Sequence, residues 1–427
     1  MKKFIIKSMG CKTNQFEGDV IRENLINNGY TETDNLQNAD IYILNSCSVT
    51  HKSDNEALYL LRNAKHLNNN ITTVITGCVA QIEKENLLKE NYIDYVIGND
   101  EKLEITKFLD LKSPVSAADI MNLSKFHIID IPKTSKTRVF LKIQDGCDNR
   151  CSYCIIPFAR GKSRYADISE VISRIKTCEN NGFKEIVLTG IHIGQWGLND
   201  DKSLVDLLFE IEKNCNIRYR LGSLNPLEIT DTLLDFLSDS KYFCPHFHLS
   251  LQSACNRTLE RMNRFYKVED YLKQIDKIND LFNLPFLGSD IIAGFAGETE
   301  DDFNVTVNNL KKSGLTAIHT FPYSIRKGTK AENMDGHLSD KIKNERADII
   351  KEISKEKLNI FLQKNIGTKH QLLVEKHLDK QTGMLKGITE NYITVILNSN
   401  DRSLMNTIQS VEITEIKNNK VYGNIYH

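Results

Sequence analysis

Residues Asp145–Arg164 read DGCDNRCSYCIIPFARGKSR, and the rest of the chain is organised around them. Cys147, Cys151 and Cys154 stand in a C-x3-C-x2-C spacing directly after VFLKIQ, an apolar run with strand character. With ten Cys in 427 residues, chance gives this spacing on the order of 0.005 times per chain, so the signal is strong. Thiolates so spaced wrap one compact inorganic core, as in iron–sulfur sites. Three ligands is the informative number, because structural zinc sites close with four whereas a catalytic metal keeps a position open. No fourth Cys and no His follows closely, which leaves one metal of a cubane free to bind a substrate or cofactor. The alternative is a zinc knuckle whose fourth ligand comes from afar.

Outward from this loop, a chain of 427 residues has room for roughly two to four domains. At 40% hydrophobic and 26% charged it has an ordinary globular composition. A net charge of −1 gives no chain-wide attraction to polyanions, so any nucleic acid must be held by local patches. No apolar run approaches the ~20 residues needed to cross a bilayer. Lys7 interrupts the start MKKFIIKSMGC before it becomes a signal-peptide core, and argues equally against a lipoprotein site at Gly10-Cys11. The expectation is a cytoplasmic protein with reduced thiols available for metal.

Residues 1–113 read as strand–helix units: FIIKS, the helix FEGDVIRENLINNG closed by Gly29, IYILN, the helix SDNEALYLLRNAKHL, ITTVITG and YVIG. Such alternation predicts a doubly wound parallel sheet. Cys11 follows the first strand, Cys47 the second and Cys78 the third. Ligands of open α/β sheets bind just outside the carboxyl ends of the strands, so these three Cys are expected to converge into a second three-thiolate site. Buried small hydrophobes are the bland alternative.

Residues 114–137 read as a linker, and 138–366 as a partial (βα)6 barrel with strands VFLKI, EIVLTG, RYRLGS, HFHLS, FLGSDIIAG and AIHTF. The C-x3-C-x2-C loop follows the first of these, at the functional end of such barrels. In HFHLS the period of two puts His246, His248 and Ser250 on the barrel interior and Phe247 and Leu249 against helices. A polar lining suits a polar cofactor, although satisfied core histidines read the same way. Cys178 reads as core, Cys215 and Cys244 as structural, and Cys255 as functional only by position. A Lys- and Glu-rich helix, Ser339–Asn365, leads to 367–427, whose short strands read as a small β-barrel of oligonucleotide-binding size.

The strings GCKTNQ, NSCSVT, GCVAQ, GCDNRCSYCIIPFARG, LTGIHIGQWG, SLQSACNRTLERMNR and YSIRKGTKA together resemble the radical SAM methylthiotransferase family over essentially the whole chain. The resemblance implies an N-terminal cluster domain, a radical SAM barrel and a TRAM-like tail. It implies two [4Fe–4S] clusters: a radical-generating one on Cys147, Cys151 and Cys154, and an auxiliary, sulfur-carrying one on Cys11, Cys47 and Cys78. S-adenosylmethionine (SAM) would be consumed twice, once as radical source and once as methyl donor, with Tyr153, Gly190, Ser250 and Gln252 as its binding residues. KTNQ and SCSVT are most similar to the branch that methylthiolates carbon 2 of N6-threonylcarbamoyladenosine at tRNA position 37. That carbon bears an unactivated hydrogen, which a radical cofactor can replace. Isopentenyladenosine in tRNA and an aspartate of a ribosomal protein are the alternative acceptors, and an RNA-binding iron–sulfur redox sensor is the non-catalytic alternative. Partners implied are tRNA through its anticodon loop, SAM, an electron donor and a sulfur source, with no membrane. Arg160, Lys162 and Arg164 are candidate RNA contacts beside the cluster loop, with Lys133, Lys136 and Arg138 before the barrel and Trp196 as a base-stacking candidate. The turn GFAGET departs from the family at Ala296, where Pro is usual.

Overall fold

The computed structural model describes residues 1–111, 114–127, 130–132 and 136–426. Lys133, one of the candidate RNA contacts, lies outside them.

The first unit is a parallel sheet of β1 (Lys3–Ser8), β2 (Thr31–Glu32), β3 (Ile41–Ser46), β4 (Thr72–Gly77), β5 (Tyr95–Ile97) and β6 (Val115–Ser116), in the order β2-β1-β3-β4-β5-β6. Every residue of β3 is buried, and its alternation serves both faces. Ile41 and Ile43 pack with Ile21 and Leu25 of helix Lys12–Asn27, while Tyr42 and Leu44 pack with Ala57 and Leu61 of helix His51–Leu67. The sheet is the doubly wound one expected, with two short strands added. β6 lies in the stretch read as a linker, because a two-residue edge strand carries no periodicity to read. Helix Lys12–Asn27 also starts earlier than expected, directly at Cys11, because Asn14 turns its side chain to neighbouring loops instead of interrupting the helix.

The second unit runs β7 (Val139–Lys142), a short antiparallel pair β8 (Gln144–Asp145) and β9 (Arg164–Tyr165), then β10 (Glu185–Thr189), β11 (Arg218–Leu221), β12 (Ser223–Leu224), β13 (His246–Leu249), β14 (Phe286–Ala293) and β15 (Ala317–Pro322). All six expected strands are present, in two parallel sheets, β11-β10-β7 and β12-β13-β14-β15, joined by the Tyr219–Phe243 bridge. They curve around one core, which takes Phe247 and Leu249 as their period demanded, together with Cys178 and Cys215.

The third unit is a closed barrel of β16 (Lys369–Val374), β17 (Lys386–Thr389), β18 (Thr394–Leu397), β19 (Ile408–Lys417) and β20 (Lys420–Ile425). It seals the amino-terminal end of the larger barrel. Tyr392 stacks on His246 and Phe286, and Arg220 donates to the carbonyls of Thr389 and Glu390, both at 2.7 Å. Among the described residues β7 and β15 do not pair with each other, and the first unit spans that gap. Glu17 bonds Lys142 of β7 at 2.8 Å; on the other side Arg326 bonds Asp54 at 2.6 Å and Ser48 at 2.7 Å. No helix among the described residues is long and apolar enough to cross a membrane.

Candidate metal centres

The strand order reverses between β1 and β3, and a doubly wound sheet binds its ligand at that switch point. Cys11 follows β1, Cys47 follows β3 and Cys78 opens the turn after β4, so the three meet at one carboxyl edge. Asn14 ties the loops together: its Nδ2 donates to the carbonyls of Met9 (2.8 Å), Asn45 (3.1 Å) and Ser46 (3.0 Å), and Asn45 Nδ2 returns a bond to Asn14 O at 2.7 Å. Gly10 has φ +81°, and a Cβ there would fall 2.5 Å from Cys47 Sγ, so only glycine lets the two loops meet. Burial pushes the Cys47 thiol up to about 12, with Cys78 and Cys11 adding through their negative charge. Cys47 therefore feels both of the other sulfurs, and Cys11 feels that of Cys78.

The second trio lies on the loop after β8. Burial pushes Cys154 up to about 12, with Cys151 and then Cys147 adding. Nη1 of Arg264 donates to Cys151 Sγ at 3.3 Å, and Nδ1 of His192 lies 3.4 Å from Cys147 Sγ. His192 in turn contacts Glu228. Gln144 fastens the loop from below: its Nε2 donates to the carbonyls of Asp145 (3.0 Å) and Gly146 (2.8 Å), while its Oε1 accepts from the amides of Ile191 (3.0 Å) and His192 (2.7 Å).

The donor sets, three soft thiolates each with polar groups aimed at sulfur, fit iron–sulfur clusters.

Between the two trios lies a buried charge network that the sequence does not announce. Glu17 bonds Arg160 (2.6 and 2.9 Å), Lys102 (2.6 Å) and Lys142 (2.8 Å); Asp145 bonds Lys142 (2.9 Å) and Arg164 (3.2 Å). Burial alone would raise the Glu17 carboxyl, but Arg160, Lys102 and Lys142 hold it well below the ordinary range. Two carboxylates face four cations, so an excess of positive charge borders Cys78 and Cys11, where an anionic thiolate-bound core would sit.

This corrects the reading of Arg160 and Arg164 as RNA contacts. Both are buried, and their guanidinium groups are spent on Glu17, Asp145 and backbone carbonyls. Lys162, between them, is exposed. Lys136 pairs with Asp19 and Arg138 with Glu185. Trp196 is fully buried, its Nε1 donating to Ala166 O at 3.0 Å, and cannot stack on a base. Cys255 is buried with its thiol 3.5 Å from Asp302. Tyr153 stacks edge-on against Phe295. A side chain at Gly190 would collide with Gln144 at 2.8 Å, which keeps that turn open beside the cysteine loop. Ser250 and Gln252 leave β13 on the same side, Gln252 bridging to Ile291. At Ala296, the missing Pro is compensated by burial and by Arg261 Nε donating to its carbonyl at 2.9 Å.

A partial barrel with C-x3-C-x2-C after its first strand defines a radical SAM enzyme, and residues 141–310 match the Radical SAM superfamily pattern. Residues 3–98 match the pattern described as Uncharacterized protein family UPF0004. The chain is 35% identical to the threonylcarbamoyladenosine tRNA methylthiotransferase MtaB of Aquifex aeolicus (strain VF5), over 92% of this chain and 96% of that one. It is 32% identical to MtaB of Bacillus subtilis (strain 168), covering 91% and 89%. The tRNA-2-methylthio-N(6)-dimethylallyladenosine synthase of Alkaliphilus oremlandii (strain OhILAs) is 30% identical, covering 99% and 93%. Among solved structures, the radical S-adenosylmethionine methyltransferase TsrM from Kitasatospora setae aligns with a TM-score of 0.55 at 12% identity, over 74% of this chain and 72% of that one, a likeness of fold. The chain belongs to the radical SAM tRNA methylthiotransferase family, transferases that use SAM and two [4Fe–4S] clusters.

Proposed function

We propose that this enzyme converts N6-threonylcarbamoyladenosine at position 37 of tRNA into its 2-methylthio derivative. The observation that carries the reading is the identity of 31–35% to five MtaB proteins, against 30–31% to the dimethylallyladenosine synthases. Cys147, Cys151 and Cys154 would hold the cluster that binds SAM, and Cys11, Cys47 and Cys78 the auxiliary one. When bound, these groups supply a hydrogen-abstracting radical and a transferable sulfur.

The chain's own residues orient and shield them. Arg264 donates to Cys151 Sγ, His192 Nδ1 lies against Cys147 Sγ, and Asn99 bonds Cys78 at 3.9 Å while also holding Ala159 O at 2.8 Å. The two cluster loops are thereby fastened to each other. Tyr153, Gly190, Ser250 and Gln252 would seat SAM, and exposed Lys162 would meet tRNA phosphate. An external electron donor and a sulfur source complete the cycle.

Nucleoside mass spectrometry of tRNA from a strain lacking the gene tests the reading: the 2-methylthio form should vanish while its threonylcarbamoyl precursor accumulates. Loss of 2-methylthio-isopentenyladenosine instead would transfer the enzyme to the other acceptor.

A further inference from the structure

The barrel interior holds a polar cluster that neither cysteine trio uses. Asp290 and His319 face each other in the β14–β15 register, and His248 on β13 lies across from Gly288. His248 Nε2 is 3.3 Å from Asp290 Oδ1, the two histidine rings meet edge to face at 5.6 Å, and one donor atom from each of the three lies within 4.8 Å of the others. Gly288 makes the room, since a Cβ there would fall 3.1 Å from His248 Cδ2. On its far side, His248 Nδ1 is 3.1 Å from Ser223 Oγ, which lies 2.8 Å from Ser250 Oγ.

His248 and Asp290 are partly exposed and His319 is exposed, so the cluster opens into the space between the strands. Lys12, the first helical residue after Cys11, approaches it from the N-terminal unit, its own ammonium lowered to about 8 by burial and by the charges of Arg138 and Arg220. Its charge reaches His319, and among the described residues its ammonium has no hydrogen-bond or ion-pair partner.

We propose that His248, Asp290, His319 and Lys12 form the subsite for the substituent on N6 of the target adenosine, and that it takes one bearing a carboxylate and a hydroxyl. The proposal rests on the tRNA reading above and assigns its acceptor to particular side chains. A dimethylallyl group has no polar atom. Seated here it would strip water from an ammonium, two imidazoles and a carboxylate and replace none of their hydrogen bonds. A threonylcarbamoyl group answers three of the four: its carboxylate accepts from Lys12 and His319, and its hydroxyl and ureido N–H groups donate to Asp290, while His248 keeps its contacts to Asp290 and Ser223. Asp290 also sets the orientation, because a carboxylate turned toward it would be repelled.

The test uses reconstituted full-length enzyme and anticodon stem-loop RNAs carrying adenosine, isopentenyladenosine, threonylcarbamoyladenosine or its methyl ester at position 37. The free acid should bind about 10- to 100-fold tighter than the ester, the range of a charged hydrogen bond. Lys12→Gln and His319→Phe should each erase most of that difference, Lys12→Arg should restore it, and binding of the unsubstituted RNA should stay level. Iron content matching wild type verifies that each variant is folded and loaded. Equal affinity for acid and ester in wild type, or equal losses on the unsubstituted RNA, would overturn the subsite while leaving the acceptor assignment intact. Turnover of the isopentenyl RNA and none of the threonylcarbamoyl RNA would overturn the acceptor assignment itself. A stoichiometric Co2+ absorption band that Asp290→Asn abolishes would assign the cluster to a metal and also overturn the subsite.

Discussion

Cys151 and Cys47 are both thiols near the domain junction, yet different groups face them, and their substitutions should separate. Cys151 is bonded by Arg264 on the barrel side, whereas Cys47 packs against Gly10 in the N-terminal unit. Cys151→Ala is expected to abolish 5′-deoxyadenosine formation. Cys47→Ala is expected to leave it and to stop sulfur insertion, with iron falling from about eight to about four per chain. Chromatographic assay of both products reads the two outcomes, and identical behaviour in both assays would refute the division of labour. Glu17 is a residue of a different kind. Removing it leaves Lys102 buried with no carboxylate, and leaves Arg160 and Lys142 with Asp145 alone. Glu17→Ala should therefore cost on the order of 3–5 kcal/mol in denaturant unfolding, although the residue is no cluster ligand.

Among elements, the base of the barrel shows how a strand end becomes a joint. Glu185 opens β10 and gathers Arg218 (2.5 Å), Arg220 (2.8 Å) and Arg138 (3.7 Å), and the first two also reach carbonyls of the small barrel. Burial would raise this carboxyl, but the arginines hold it at about 2, below its ordinary 4.5. A folded-state value below the unfolded one means that the stabilisation is complete above pH 4.5 and lost as pH falls toward 2. Its size follows from the shift, about 3 kcal/mol. Thermal unfolding followed from pH 6 to pH 3 should show the decline, and Glu185→Gln should flatten it while lowering stability at pH 6.

For the molecule as a whole, the decisive feature is that the N-terminal unit closes the open side of the barrel. Glu17 holds one edge; Arg326, with Asp54 and Ser48, holds the other. That closure faces the auxiliary thiols toward the loop of the second trio, through Asn99 and the helix Ile156–Arg160. Arg326→Ala should loosen one edge and uncouple the two halves of the reaction. SAM cleavage should persist, and methylthiolated product per 5′-deoxyadenosine should fall roughly tenfold, the scale of one lost charged hydrogen bond. An unchanged ratio would show that the closure plays no part in coupling.

The sequence alone determined the cysteines and the elements that carry them, because spacing and period are local properties. C-x3-C-x2-C, three Gly-Cys or Ser-Cys strand ends and six βα units are legible within windows of a few residues. The tail was legible as short strands, although β17 was missed for want of an alternating pattern. Charge was not legible in this way. Arg160 and Lys162 stand two positions apart in one basic run, and only the packing of the helix that begins far upstream at Lys12 buries the first and leaves the second in water. His248, Asp290, His319 and Lys12 likewise come from three strands and another domain. Their meeting depends on barrel register and domain closure, which are set by the free energy of the whole packed chain and are recorded in no single stretch of it.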